Sequence, residues 1–352
     1  MLMQNSVPRI CYGRTHIAAT SQITTNSFEG KNTLAANKYS GHVKPEEDNT
    51  LHDVSNLAGV IPALITPLTP DGNFDPAGMR RLVRYVLDAG VHGVFVMGSS
   101  GEFYAFTPEE RRQITEFVVD EVGGRVPVFC GISDHSTNLA IRNGKEAKKA
   151  GADVAVLVLP YYATPARQED MAEHFRYVRD HIDMPLAMYN VPQAVKGFVK
   201  LDTIAELAED GTIVALKDST CDFNHFQQVI IRLSGMRFPI FQGSEPQLAC
   251  SVLMGGHGGV LGLGNVAPRL CVDIFNAAHA GRAEDARKLQ AVMTRLWDLF
   301  WVGESPMTGM KAAVSLLGIC GPTTARPTPQ VSRESMERIR GILEQAGLTP
   351  RA

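Results

Sequence analysis

The sequence predicts an α/β protein, a (β/α)8 TIM barrel with a small C-terminal helical appendage. Three observations carry that expectation. From Gly59 onward, eight short apolar runs alternate with longer amphipathic segments. Those runs are rich in Val, Ile and Leu and lack polar alternation, as parallel strands buried on both faces do. Finally, Thr66-Pro67-Leu68-Thr69-Pro70-Asp71-Gly72 follows the first run, where an open doubly wound sheet would normally carry a Gly-rich phosphate loop. Strict alternation without that loop favours the barrel over the open sheet.

Taken in order, the runs are Gly59–Pro67, Gly93–Gly98, Val126–Ile132, Val154–Pro160, Pro185–Asn190, Ile213–Asp218, Phe238–Gly243 and Gly259–Asn265. Helical spacing lies between them at Pro76–Ala89, Pro108–Val122, Asn138–Ala150 and Asp222–Leu233. Thr107-Pro108-Glu109-Glu110 places a cap, a first-turn proline and two acids in the order that starts a helix. Gly90, Gly151 and Gly235 follow three of the helices, as C-terminal caps should. Three further helical stretches, near Ala283–Trp301, Met307–Leu317 and Ser332–Gln345, form the appendage. The organisation read from this is an N-terminal extension over 1–57 without a packed structure, a barrel over 58–281, and C-terminal helices over 282–352.

The extension is rich in Ser, Thr and Asn, has no acidic residue before Glu29, and carries Arg9, Arg14, Lys31 and Lys38. A mitochondrial transit peptide has this composition, and so does an arbitrary disordered segment. The expected compartment is the cytoplasm, with the mitochondrion as the alternative if the extension is a transit peptide. Over the whole chain, 44% of residues are apolar and 20% charged, with a net charge of −3. That balance allows a large core and argues against nucleic-acid or anionic-membrane partners. No apolar stretch reaches the roughly 18–20 residues a bilayer requires. The six cysteines are scattered, and the ten histidines show no ligand spacing with carboxylates at strand ends. No metal is expected, and a metal-dependent barrel lyase is disfavoured.

In a barrel, catalytic groups gather at the C-terminal ends of strands. Lys217 ends the sixth run, where burial disfavours an ammonium and favours the free amine that attacks a carbonyl. A lysine there can also pair with Asp218 or Glu245, or extend to the rim. Tyr189 ends the neighbouring run, and a phenol near the lysine can relay the protons that Schiff-base chemistry requires. Its alternative role is a ring packed in the barrel top. Gly98-Ser99-Ser100-Gly101-Glu102 offers small residues, hydroxyls and backbone amides able to cradle a carboxylate, or a plain strand-to-helix turn. Tyr161-Tyr162 closes the fourth run, either as site residues or as rim packing.

These motifs, together with Tyr189-Asn190-Val191-Pro192, Lys217-Asp218 and Gly255-Gly256-His257-Gly258-Gly259, resemble the dihydrodipicolinate synthase / N-acetylneuraminate lyase family of Schiff-base-forming aldolases. The resemblance spans about Ala58 to Leu317. It implies that Lys217 forms an imine with a 2-keto acid such as pyruvate, and that Tyr189 shuttles protons. It further implies that Ser99 passes protons between Tyr189 and Tyr162, while Gly98, Ser100 and the loop amides hold the carboxylate. Tyr162 is implied to reach into a neighbouring subunit's site. Gly243 and Val260 match positions lining the keto-acid pocket. A dimer of dimers that needs no metal or organic cofactor is the implied assembly.

Departures from the family pattern bear on the second reactant. Dihydrodipicolinate synthases carry an Arg two residues after the Pro of the Tyr-Asn-Val-Pro motif; here that residue is Ala194, with Lys196 as the candidate to replace the charge. Where sialic acid lyases have an Asp-Glu pair and a last-strand Ser, this chain has Glu245, Pro246 and Gly262. The expected reaction is therefore cleavage or dehydration of a 2-keto-3-deoxy sugar acid or a hydroxy-2-oxo acid, with Ser244 and Glu245 binding its hydroxyls. The alternatives are dihydrodipicolinate synthesis proper and a catalytically silent barrel that senses keto acids.

Overall fold

The computed structural model describes residues 52–350, and the expected N-terminal extension lies outside them as far as residue 51. Eight parallel strands form one sheet: β1 (Gly59–Pro62), β2 (Val94–Val96), β3 (Val128–Gly131), β4 (Val154–Leu157), β5 (Leu186–Asn190), β6 (Ala215–Asp218), β7 (Ile240–Gln242) and β8 (Gly258–Leu261). Their order is β1-β8-β7-β6-β5-β4-β3-β2. A parallel bridge between Ala63 and Phe95, with Leu64 N donating to Phe95 O at 2.8 Å, joins β1 to β2 and closes the ring. This is the expected (β/α)8 barrel with C-terminal helices.

Every strand residue is buried, which is why the runs show no polar alternation. The strands are shorter than the apolar runs because several runs leave the ladder at the C-terminal mouth. Leu263–Asn265, read as the end of the last strand, forms a 3-10 turn instead. Helices follow the expected spans within a residue or two: Pro76–Asp88, Pro108–Val122, Thr137–Lys149 and Phe223–Arg232. Thr107 forms a complete capping box with Glu110, and Gly90, Gly151 and Gly235 adopt the positive φ that ends a helix.

The appendage comprises Ala283–Leu296, Leu299–Val302, Pro306–Leu316 and Arg333–Gln345. Its helices bury Met293, Leu296, Met310, Val314, Ile339 and Leu343 in the same core as the barrel. Val54 joins that core from the other end of the described chain. Among the described residues, no helix is long and apolar enough to cross a membrane.

Candidate active site

Strand register places the two central residues. Tyr189 on β5 is the direct partner of Lys217 on β6, and Asn190 is the partner of Asp218. Successive side chains on a strand point to opposite faces, so Lys217 and Tyr189 both enter the barrel while Asp218 and Asn190 turn towards the helices. Lys217 Nζ lies 4.0 Å from the centre of the Tyr189 ring and 5.2 Å from that of Phe95. Lys217 is only 8% exposed.

Lys217 forms no ion pair with Asp218 or Glu245. Asp218 Oδ1 accepts from Thr220 N and Thr220 Oγ1 at 3.0 and 2.6 Å, and Oδ2 faces His225 Nε2 at 3.6 Å. Burial pushes the Asp218 carboxyl above its ordinary range, against the hydrogen bonds from Thr220 and the charge of His225. Glu245 is 2% exposed, and its Oε1 accepts from Gly262 N at 2.7 Å and Leu263 N at 3.1 Å. Burial raises its pKa too, opposed by those amides and by the charge of Lys217. The carboxylate therefore braces the turn after β8.

Outward from Lys217 and Tyr189, a cavity of about 330 Å³ opens on the C-terminal side of the barrel. Gly98, Ser99 and Tyr189 line it, together with Phe95, Phe103, Val158, Tyr161, Ala194 and Val195. Lys217 and Val260 line a separate narrow space, bounded by Phe95 and Phe241, that shares Phe95 and Val156 with the cavity wall. The structure thus brings Lys217 and Tyr189 together, and Gly98, Ser99 and Tyr189 onto one cavity wall, with Val260 beside Lys217 in the neighbouring space. Ser100 is half-buried in the same turn but not part of the cavity wall.

The β7 corner stands apart from the cavity. Gly243 N donates to Asp218 O at 2.7 Å, and a Cβ at that position would lie 1.9 Å from Ser219 Oγ, so only glycine fits. Ser244 is buried, with its amide donating to Gln242 Oε1 at 2.9 Å. Neither Ser244 nor Glu245 lines the cavity. Tyr162 is 93% exposed and does not line the cavity. Lys196 is exposed at the end of the Pro192–Val195 turn and does not line the cavity either.

The Gly98–Glu102 loop is strained and braced. Met97 and Glu102, on its two sides, hold φ of 56° and 54°, a left-handed conformation costing non-glycine residues about 1 kcal/mol or more. Its turns use Gly101 N to Gly98 O and Glu102 N to Ser99 O, which leaves the Ser99 and Ser100 amides outside them. Glu102 is completely buried and forms an ion pair with the equally buried Lys311 of the Pro306–Leu316 helix. Glu102 Oε1 also accepts from Ala325 N at 3.0 Å, and Lys311 Nζ donates to Thr323 O at 2.9 Å. The appendage therefore locks the loop from behind.

Sequence reasoning missed Lys311 and Phe103, which forms the cavity's aromatic wall with Tyr161. One signal for Lys311 was present: it is a lone charge within the small and apolar run Gly309-Met310-Lys311-Ala312-Ala313-Val314. Its partner, 209 residues earlier, is visible only in the fold.

Comparison with known proteins agrees with this geometry. The sequence profile of the dihydrodipicolinate synthetase family matches residues 56–346. The 4-hydroxy-tetrahydrodipicolinate synthase of Gluconacetobacter diazotrophicus is 35% identical over 296 residues, covering 84% of this chain and 99% of that protein. The enzyme of the same name from Methanopyrus kandleri is 34% identical, with 84% and 98% covered. Among solved structures, dihydrodipicolinate synthase from Aquifex aeolicus superposes with a TM-score of 0.79 at 29% identity, covering 84% of this chain and all of that one. A prophage protein of the dihydrodipicolinic acid synthase family from E. coli K12, in complex with pyruvate, gives 0.79 at 27% identity over 83% of this chain and 99% of its own. The chain belongs to the dihydrodipicolinate synthetase family, whose members are lyases of the Schiff-base, class I aldolase type.

Proposed function

We propose that the protein forms an imine between Lys217 and a 2-keto acid such as pyruvate, and uses it to make or break a carbon–carbon bond. The observation that carries this is the pairing of Lys217 with Tyr189, whose side chain lines a cavity shared with Gly98 and Ser99. The Lys217 amine adds to the keto carbon and water leaves. The protonated imine then draws electrons from the C3–C4 bond as it breaks, or from C3 as a new bond forms. Tyr189 relays protons, Ser99 passes them on, and the carboxylate rests on Ser100 and the free loop amides. The exposure of Tyr162 suits a residue that completes the site of a second copy, in a dimer of dimers.

The names of the relatives favour 4-hydroxy-tetrahydrodipicolinate synthesis over the sugar-acid cleavage expected from the sequence. The internal bonding of Glu245 also weighs against hydroxyl recognition by that residue. Against the synthase stands Ala194, at the position where the resemblance calls for an arginine.

Incubation with pyruvate and borohydride, followed by intact-mass measurement and peptide mapping, tests the shared step. The expected result is one reduced adduct, on Lys217, that disappears in Lys217→Ala. Folded wild-type protein with no adduct would mean a barrel that senses keto acids without converting them.

A further inference from the structure

We propose that the second reactant of this site is an uncharged, apolar aldehyde. The inference rests on the Lys217 imine and adds the chemistry of its partner. The cavity beyond Tyr189 is walled by Phe103, Tyr161, Val158, Val191, Ala194 and Val195, and none of its lining side chains is charged among the described residues. Ser133, one of the few polar residues in the wall, accepts from Val158 N at 3.0 Å, which holds its hydroxyl against the backbone that follows β4.

The charges nearby are turned to other work. Arg111 stands behind the wall with its guanidinium carbon 5.1 Å from the Phe103 ring centre. It donates to Ser133 O at 3.1 Å and lies 3.5 Å from Asp134. Glu245 braces the β8 turn, and Lys196 lies outside the lining. A carboxylate entering this space would lose its water and meet no cation, and a polyol tail would meet a mostly apolar wall, whereas an alkyl or aryl group gains burial. Ser99 and the phenols of Tyr104, Tyr161 and Tyr189 provide enough polarity for one aldehyde oxygen.

The reaction balances without an oxidant or reductant. Pyruvate and the Lys217 amine lose water to give the imine, and C3 gives up a proton to form the enamine. That carbon bonds to the aldehyde carbon, whose oxygen takes a proton to become the C4 hydroxyl. Water then restores the amine and releases a 4-hydroxy-2-keto acid.

The test compares kcat/KM at saturating pyruvate for benzaldehyde and hexanal, for glyoxylate and succinic semialdehyde, and for glyceraldehyde. The apolar pair is expected to exceed both other classes by about tenfold or more. Ala194→Arg, which adds a cation at an exposed edge of the cavity, is expected to raise the glyoxylate value about tenfold. Borohydride trapping of pyruvate on the same wild-type preparation separates the two claims. A trapped adduct with preference for the charged or hydroxylated aldehydes, or with no aldehyde consumed, overturns the inference alone. No adduct overturns both claims. Should the variant fail to fold, the wild-type profile still decides.

Discussion

Tyr189 and Lys217 meet as register partners across β5 and β6, with the lysine nitrogen 4.0 Å from the centre of the phenol ring. The backbone ladder, from Ala187–Ala215 to Asn190–Asp218, sets that approach. The ladder fixes both Cα positions, so in the proposed reaction nucleophile and proton relay start as neighbours before a substrate arrives.

Tyr189→Phe keeps the ring under the lysine and removes only the hydroxyl. Turnover is expected to fall by about 10²–10⁴-fold, the usual loss of acid–base help, while thermal stability stays near that of wild type. Steady-state rates beside a melting curve decide it. Wild-type turnover would reduce Tyr189 to a packing role.

Tyr162→Phe separates catalysis from packing more sharply, because an exposed side chain contributes little to the fold of its own chain. A comparable loss of turnover with an unchanged melting temperature is expected if the residue completes a second copy's site. Equal rates in the two proteins would leave the hydroxyl without a catalytic role.

Lys311→Met leaves the Glu102 carboxylate buried without its partner, and a loss of about 3–5 kcal/mol is expected in urea unfolding. Adding Glu102→Gln should recover part of that loss, because an amide is cheaper to bury than a charge. A double variant less stable than the single would show that the pair is not what limits this region.

Acidification should weaken the fold through His174. Burial lowers its pKa from 6.5 to about 4, with Thr137 Oγ1 3.0 Å from Nδ1. Between those values the unfolded chain binds a proton that the folded chain refuses, so stability falls as pH drops through this window and levels off below it. The loss is roughly 2 kcal/mol at pH 5. His174→Gln should flatten the dependence of the urea midpoint on pH between 7 and 5, and an unchanged slope would place the titration elsewhere.

Much of this was legible in the chain because the barrel rests on local rules. A buried parallel strand must be apolar on both faces, and so the eight runs stood out before any contact was known. Thr107 and Glu110 announced a helix start because a capping box is made within four residues. Lys217 and Tyr189 were legible for a similar reason: each ends an apolar run, and a barrel gathers strand ends at one mouth.

Other features depend on distances the sequence does not express. Glu245 read as a hydroxyl-binding group because its type suits that task, yet the fold turns it onto the amides of Gly262 and Leu263. Asp218 adjoins Lys217 in the chain, but strand alternation sends the two to opposite faces. Lys311 and Glu102 meet across the molecule, and the cavity wall draws on four strands and the loops that follow them. The sequence by itself determined the barrel, its strand ends and the place of Lys217 at one of them, since each follows from residues near one another in the chain. Tertiary structure alone decided which charges face the substrate, because partnering in a closed barrel is set by long-range packing.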